Sequence, residues 1–143
     1  MPISTISKVA IIGAGQMGCG IAQVVAQHAK VPVYLYDHNE ITLKSNIAIL
    51  DSRLLKHAEK GAFSMTEYKL LTSRIQPVLK LDLISDADIV IEAIREEETE
   101  KMNLFRAISP IVSSDAMIAS NTSSISITRL ASAMQNPGRV VSF

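Results

Sequence analysis

The chain has 143 residues, enough for one domain with a core of its own. Its 14 Lys and Arg balance 14 Asp and Glu, which argues against a nucleic-acid surface, and no apolar run approaches the ~20 residues that a membrane helix needs. The single cysteine, Cys19, excludes an internal disulfide framework, and the opening MPISTISKVAIIGAG lacks the basic start and apolar core of a secretory leader. Together these point to the cytoplasm, with no nucleic-acid or membrane partner. Val9–Ile12 is a short β-branched run closed by Gly13, the pattern of a strand buried on both faces. Met17, Ile21, Val24 and Val25 recur at helical spacing and predict a helix from about Gln16 to His28. Val33–Tyr36 reads as a second strand ending at Asp37. Glu40–Lys60 reads as a long helix with Ile41, Ile47, Leu50, Leu54 and Leu55 as its apolar stripe and Gly61 as the residue that ends it. Thr66-Glu67 is expected to open a short helix. Ile75–Val78 is a third strand interrupted by Pro77, and Ile89–Ile91 is a stronger one. Thr99–Ile108 places Met102, Phe105 and Ile108 on one helical face and stops before Pro110. Met117–Ala119 is a strand, Ser126–Met134 a helix broken at Asn136-Pro137-Gly138, and Val140–Phe143 the start of a last strand. Strands alternating with helices predict βαβ units with right-handed crossovers and an α/β fold with a mainly parallel sheet.

Gly13-Ala14-Gly15-Gln16-Met17-Gly18 follows the first strand and opens the first helix, and an acidic residue, Asp37, ends the next strand. In that setting G-x-G-x-x-G is a dinucleotide-binding fingerprint of the Rossmann type, a doubly wound sheet. Gly13 makes the tight turn, Gly15 lets the backbone approach a pyrophosphate, and Gly18 lets the helix pack close to the strand. The helix N-terminus offers N–H groups and a positive dipole end to the phosphates. Asp37 would accept from both hydroxyls of the adenine ribose and repel a 2′-phosphate, so NAD is expected over NADP, with His38 beside it as the one softening influence. FAD and S-adenosylmethionine domains share parts of the pattern, and a purely structural glycine turn with Asp37 as a solvated strand end is the plain alternative.

Three later segments extend the reading: Ala87-Asp88-Ile-Val-Ile-Glu92-Ala-Ile94, then Arg95-Glu-Glu-Glu-Thr-Glu-Lys101, then Ala119-Ser-Asn121-Thr122-Ser123-Ser124-Ile-Ser126-Ile127. With the glycine loop, and in this order and spacing, they resemble the NAD-binding domain of the L-3-hydroxyacyl-CoA dehydrogenases, a group that includes the bacterial 3-hydroxybutyryl-CoA dehydrogenases. The resemblance covers essentially the whole chain, so residues 1–143 are expected to form one NAD-binding Rossmann domain. It implies that Gly13–Gly18 hold the pyrophosphate, including Ala14, Gln16 and Met17, and that Asp37 holds the ribose. It also implies that Glu96, Lys101 and Asn121 lie at the nicotinamide half, and that Ser123 is the active-site serine, touching cofactor and substrate. Lys60 and Arg53 fall where family members touch the CoA moiety. The bland rivals are acidic residues enriched in a first helical turn, Lys101 answering Glu97 at i,i+4, and Ser123 or Ser124 capping the next helix, with Ser124 or Ser126 favoured for the cap. Asp86-Ala-Asp88 reads as a polar turn into a buried strand. Cys19 reads as small-residue packing, and His28, His38 and His57 have no metal spacing with it, so no metal is expected.

The resemblance further implies NAD-dependent oxidation of (S)-3-hydroxyacyl-CoA to 3-ketoacyl-CoA, or the reverse, in fatty-acid or short-chain acyl-CoA metabolism. The acyl-CoA is then the substrate. In the family a His-Phe-Phe-Asn-Pro-like segment carrying the catalytic histidine follows the strand that in this chain reads Arg139–Phe143, and a helical C-terminal domain closes the site and makes a homodimer. Both are absent from these 143 residues, so the chain alone is expected to bind NAD with little activity. A non-catalytic NAD-binding module and another Rossmann β-hydroxyacid dehydrogenase are the alternative functions.

Overall fold

The computed structural model describes residues 6–143; residues 1–5, part of the stretch read above as no leader, lie outside it. Six strands form one parallel sheet: β1 (Val9–Ile12), β2 (Val33–Tyr36), β3 (Ile75–Val78), β4 (Ile89–Glu92), β5 (Met117–Ser120) and β6 (Val140–Ser142). Their spatial order is β3-β2-β1-β4-β5-β6, the doubly wound Rossmann order. The reversal falls between β1 and β4, which pair with Val9 opposite Ile89 and Ile12 opposite Glu92. Pro77 is tolerated because β3 is an edge strand.

Alternation along β1 divides the core. Val9 and Ile11 face one layer with Leu35, Leu43 and Leu54, while Ala10 and Ile12 face the other with Phe105 and Ile118. A strand so buried on both faces must be apolar throughout. Among the described residues five α-helices accompany the strands: α1 (Gln16–Val24), α2 (Glu40–Glu59), α3 (Met65–Arg74), α4 (Glu98–Ile108) and α5 (Ile127–Ala131). A wider π-type turn, Val25–Ala29, continues α1 to the predicted end near His28 and closes on Lys30 in the left-handed region at φ 57°. Gly61, at φ 84°, ends α2 as expected: its N–H donates to the Ala58 carbonyl and that of Ala62 to His57, the paired bonds of a Schellman end. Among the described residues no helix is long and apolar enough to cross a membrane.

Three local expectations need correction. The buried stripe of α2 is Leu43, Leu50, Leu54 and Ala58, whereas Ile41 is 80% exposed, off the face that the helix turns to the core. The cap of α3 is Ser64, whose hydroxyl accepts from the Glu67 N–H at 3.0 Å, two residues before Thr66. The helix after Ser126 ends at Ala131, and the chain then turns through a short 3-10 segment at Pro137–Arg139.

Candidate functional site

The site lies at the carboxyl ends of β1 and β4, where strand order reverses and ligands of open α/β sheets settle. Gly13 takes a left-handed φ of 111°, and a Cβ there would lie 2.5 Å from the Ala93 carbonyl oxygen. Its N–H donates to the Tyr36 carbonyl at 2.7 Å, tying the loop to β2. Gly18 is tighter: a Cβ would fall 1.7 Å from the Gly13 carbonyl oxygen. Gly15 is the opposite case, since a Cβ would enter open space. Gly13 and Gly18 are thus held close against protein backbone, and Gly15 faces open space. Ala14 turns inward, with its N–H donating to Asp37 Oδ2 at 2.9 Å and its carbonyl accepting from Asn46 Nδ2 at 2.7 Å. Cys19 packs beneath this loop as expected, and burial pushes its thiol pKa up.

Two clefts meet at this loop. The larger, about 740 Å³, runs from Gly13 and Gly15 past Tyr36, Asp37 and His38 toward α4. The smaller, about 450 Å³, is bounded by Gly15, Gln16, Met17, Glu96, Asn121 and Ser123. They share Gly15, Ala93, Ile94 and Arg95, so they form one groove with a waist at Gly15. Asp37 marks one end. Its Oδ1 accepts from the Asn39 N–H at 2.9 Å, and His38 Nδ1 stands 3.4 Å away. Each carboxylate oxygen keeps a further lone pair for a ligand hydroxyl.

At the other end Glu96 gathers the loop after β5. Its Oε2 accepts from the backbone N–H of Ser123 (2.8 Å) and Ser124 (3.1 Å), and from the hydroxyls of Thr122 (3.0 Å), Ser123 (3.3 Å) and Ser124 (3.1 Å). Its Oε1 lies 2.9 Å from Lys101 Nζ. The Ser123 amide first, then the Lys101 ammonium and the other donors, hold the Glu96 carboxyl well below the usual carboxylate range. Ser126 caps α5, accepting from the Arg129 N–H at 3.3 Å, which leaves Ser123 on the cleft wall.

Lys101 is not where helical spacing alone would put it. It is fully buried, and its ammonium contacts Glu92 at 3.1 Å, Glu96 at 2.9 Å and the Asn121 carbonyl at 2.7 Å. Glu97, the i,i+4 alternative, instead caps α4 with its carboxylate. Lys101 therefore meets the groove only through Glu96 and Asn121. Glu92, also fully buried, accepts from Ser120 Oγ at 2.5 Å and the Ile94 N–H at 2.8 Å. Sequence reasoning assigns it no role, although a carboxylate ending the run Ile-Val-Ile-Glu at the switch point was the available signal. Arg95, on the wall of both clefts and ion-paired with Glu100, was missed in the same way.

Arg53 and Lys60 are not brought to this groove. Thr42 of α2 lines the larger cleft, but Arg53 and Lys60 are farther along the helix by about 16 and about 27 Å at the α-helical rise. Arg53 donates to Gln23 at 3.1 Å, and Lys60 caps the far end. Asp86 and Asp88 sit before the amino end of β4, at the opposite end of the strand from the groove, as a structural turn: Asp86 pairs with Lys8 at 2.6 Å, and Asp88 accepts from the Ser7 and Lys8 N–H groups.

A family model described as 3-hydroxyacyl-CoA dehydrogenase, NAD binding domain, matches residues 8–143. A 3-hydroxybutyryl-CoA dehydrogenase of Bradyrhizobium diazoefficiens is 41% identical over 138 residues, which are 96% of this chain and 47% of that protein. A 3-hydroxyadipyl-CoA dehydrogenase of Escherichia coli is 36% identical over 135 residues, 94% of this chain and 28% of that protein. In the crystal structure of an (S)-3-hydroxybutyryl-CoA dehydrogenase from Ralstonia eutropha the same fold superposes with a TM-score of 0.90 at 34% identity, covering 96% of this chain and 48% of that one. The chain thus spans about half the length of the first of these relatives.

Proposed function

The chain belongs to the 3-hydroxyacyl-CoA dehydrogenase family, as its NAD-binding domain, and from that premise we propose that it forms the cofactor half of an enzyme interconverting 3-hydroxyacyl-CoA and 3-ketoacyl-CoA. Bound NAD supplies the hydride acceptor that no side chain can provide. The residues present suit it. Gly15 leaves free the space that a Cβ would take, at the waist between the two clefts and at the N-terminus of α1, where N–H groups await an anion. That single observation carries the reading.

In this reading Asp37 accepts from the adenine ribose hydroxyls and disfavours a 2′-phosphate. Gln16 and Met17 flank the passage to the nicotinamide half. Glu96 orders the loop that presents Ser123, and Asn121 lies on the same wall. Ser123 donates only a 3.3 Å bond to Glu96, so its hydroxyl can turn to a substrate oxygen and stabilise the charge that develops there. Lys101 acts behind Glu96 and does not touch the ligand. Names of relatives that act on hydroxybutyryl-CoA and hydroxyadipyl-CoA support an acyl-CoA as the substrate.

The test is a titration of this chain with NADH followed by nicotinamide fluorescence, with NADPH alongside. Saturable binding that prefers NADH supports the reading. A folded sample that binds neither would remove Gly15 from the pyrophosphate, and one that binds both equally would remove Asp37 from the ribose.

A further inference from the structure

Among the described residues, Arg95 is the one Lys or Arg on the wall of either cleft, and it stands on the wall of both. It follows Ala93 and Ile94, the pair that faces the glycine loop across the waist of the groove. Its side chain is 75% exposed, and its Nε and Nη2 edge is held by the Glu100 carboxylate. Glu100 lines the larger cleft as well, so the pair sits in the groove and not behind it. A guanidinium has five N–H donors, and the edge used by Glu100 leaves the Nη1 donors for another acceptor.

A dinucleotide laid along this groove places a doubly charged pyrophosphate at the waist. The glycine loop offers it backbone N–H groups but no full positive charge, since the first turn of α1 has no basic residue. Lys101, behind the groove, is fully buried and occupied by Glu92, Glu96 and Asn121. We propose that Arg95 is the cationic ligand of the cofactor pyrophosphate, reaching across the waist from the β4–α4 turn while Glu100 holds its other edge. Planar guanidinium donors match phosphate oxygens, which a lysine does only as a point charge. This inference rests on the cofactor reading of the groove.

The experiment compares wild type, Arg95→Gln and Arg95→Lys for NADH, ADP-ribose and adenosine, the last two by competition, at two ionic strengths. Arg95 is exposed, and unchanged thermal unfolding will show that both variants fold. Arg95→Gln is expected to weaken NADH and ADP-ribose alike, by roughly ten-fold or more as for a lost charged hydrogen bond. Adenosine should be unaffected, Arg95→Lys intermediate, and the salt dependence of NADH binding reduced. ADP-ribose binding at wild-type strength in Arg95→Gln overturns the proposal. So does a loss of adenosine affinity as large as that of ADP-ribose, which would place Arg95 over the base. Absence of NADH binding in the wild type would instead sink the cofactor reading, and this inference with it.

Discussion

Lys101 and Glu92 form an ion pair at 3.1 Å with both side chains fully buried, joining α4 to the end of the central strand β4. Two charges removed from water are tolerable only when each is paired and hydrogen-bonded. Glu92 meets that condition through Ser120 and Ile94, and Lys101 through Glu96 and Asn121. Lys101→Met alone should cost about 3–5 kcal/mol, because Glu92 is left as a buried charge without a cation, and Glu92→Leu alone should cost less, because Lys101 keeps Glu96. The double variant should cost clearly less than their sum. Urea unfolding of the four proteins measures this, and strictly additive losses would show that the two do not act as a pair.

Glu96 gives the acid limb of stability. Its carboxyl is held below the usual range by the Ser123 amide, Lys101 and the neighbouring donors, so it is bound more favourably as the anion in the folded chain. A depressed folded-state value stabilises fully above the unfolded value of about 4.3, and the contribution declines as pH falls below that toward the folded value. Melting temperature should therefore drop more steeply between roughly pH 5 and pH 2 in wild type than in Glu96→Gln. Parallel curves would mean that Glu96 does not hold the Thr122–Ser124 loop.

Gly15 and Gly18 should separate binding from folding. Gly15→Ala adds a methyl group to open space at a helix cap and should change stability by less than about 1 kcal/mol. It should nevertheless weaken NADH at least roughly ten-fold, since the methyl takes the place proposed for the pyrophosphate. Gly18→Ala must move the Gly13 carbonyl and should destabilise by about 1–3 kcal/mol or more. Unfolding curves and NADH titrations on both variants check the contrast; full NADH affinity in Gly15→Ala would refute it.

Asp37→Asn should weaken NADH while narrowing its advantage over NADPH, because the amide has one acceptor oxygen in place of the two that now serve Ala14 and Asn39, and no longer repels a 2′-phosphate. The expected loss for NADH is about 1.5–3 kcal/mol, the value of a charge-assisted bond. An unchanged ratio of NADH to NADPH affinity would remove Asp37 from cofactor choice.

The strands were legible because β1, β2 and β4 are internal and must be apolar on sight. The glycine loop was legible because its demands are on backbone geometry, which only glycine meets. Side-chain register on helices was less so. Ile41 and Leu43 are equally apolar, and only the position of β2 and α1 makes Leu43 the buried one. Lys101 shows the deeper reason. Helical spacing compares a residue with its own helix, whereas this ammonium reaches a strand and the loop after another strand, and neither distance is written in the local sequence.

The glycine loop is held by contacts between main-chain atoms: Gly13 to Tyr36, Gly13 against Ala93, and Gly18 against Gly13. A cradle fixed in this way is complete before any ligand arrives, so its ordering entropy is spent during folding. Hydrogen exchange of the Gly13 and Ala14 amides, which donate to Tyr36 and Asp37, should already be slow in the free chain and change little with saturating NADH. The adaptable part of the groove is then the exposed side chain of Arg95, and slow adjustment on binding, if any, belongs to that rim and not to the loop.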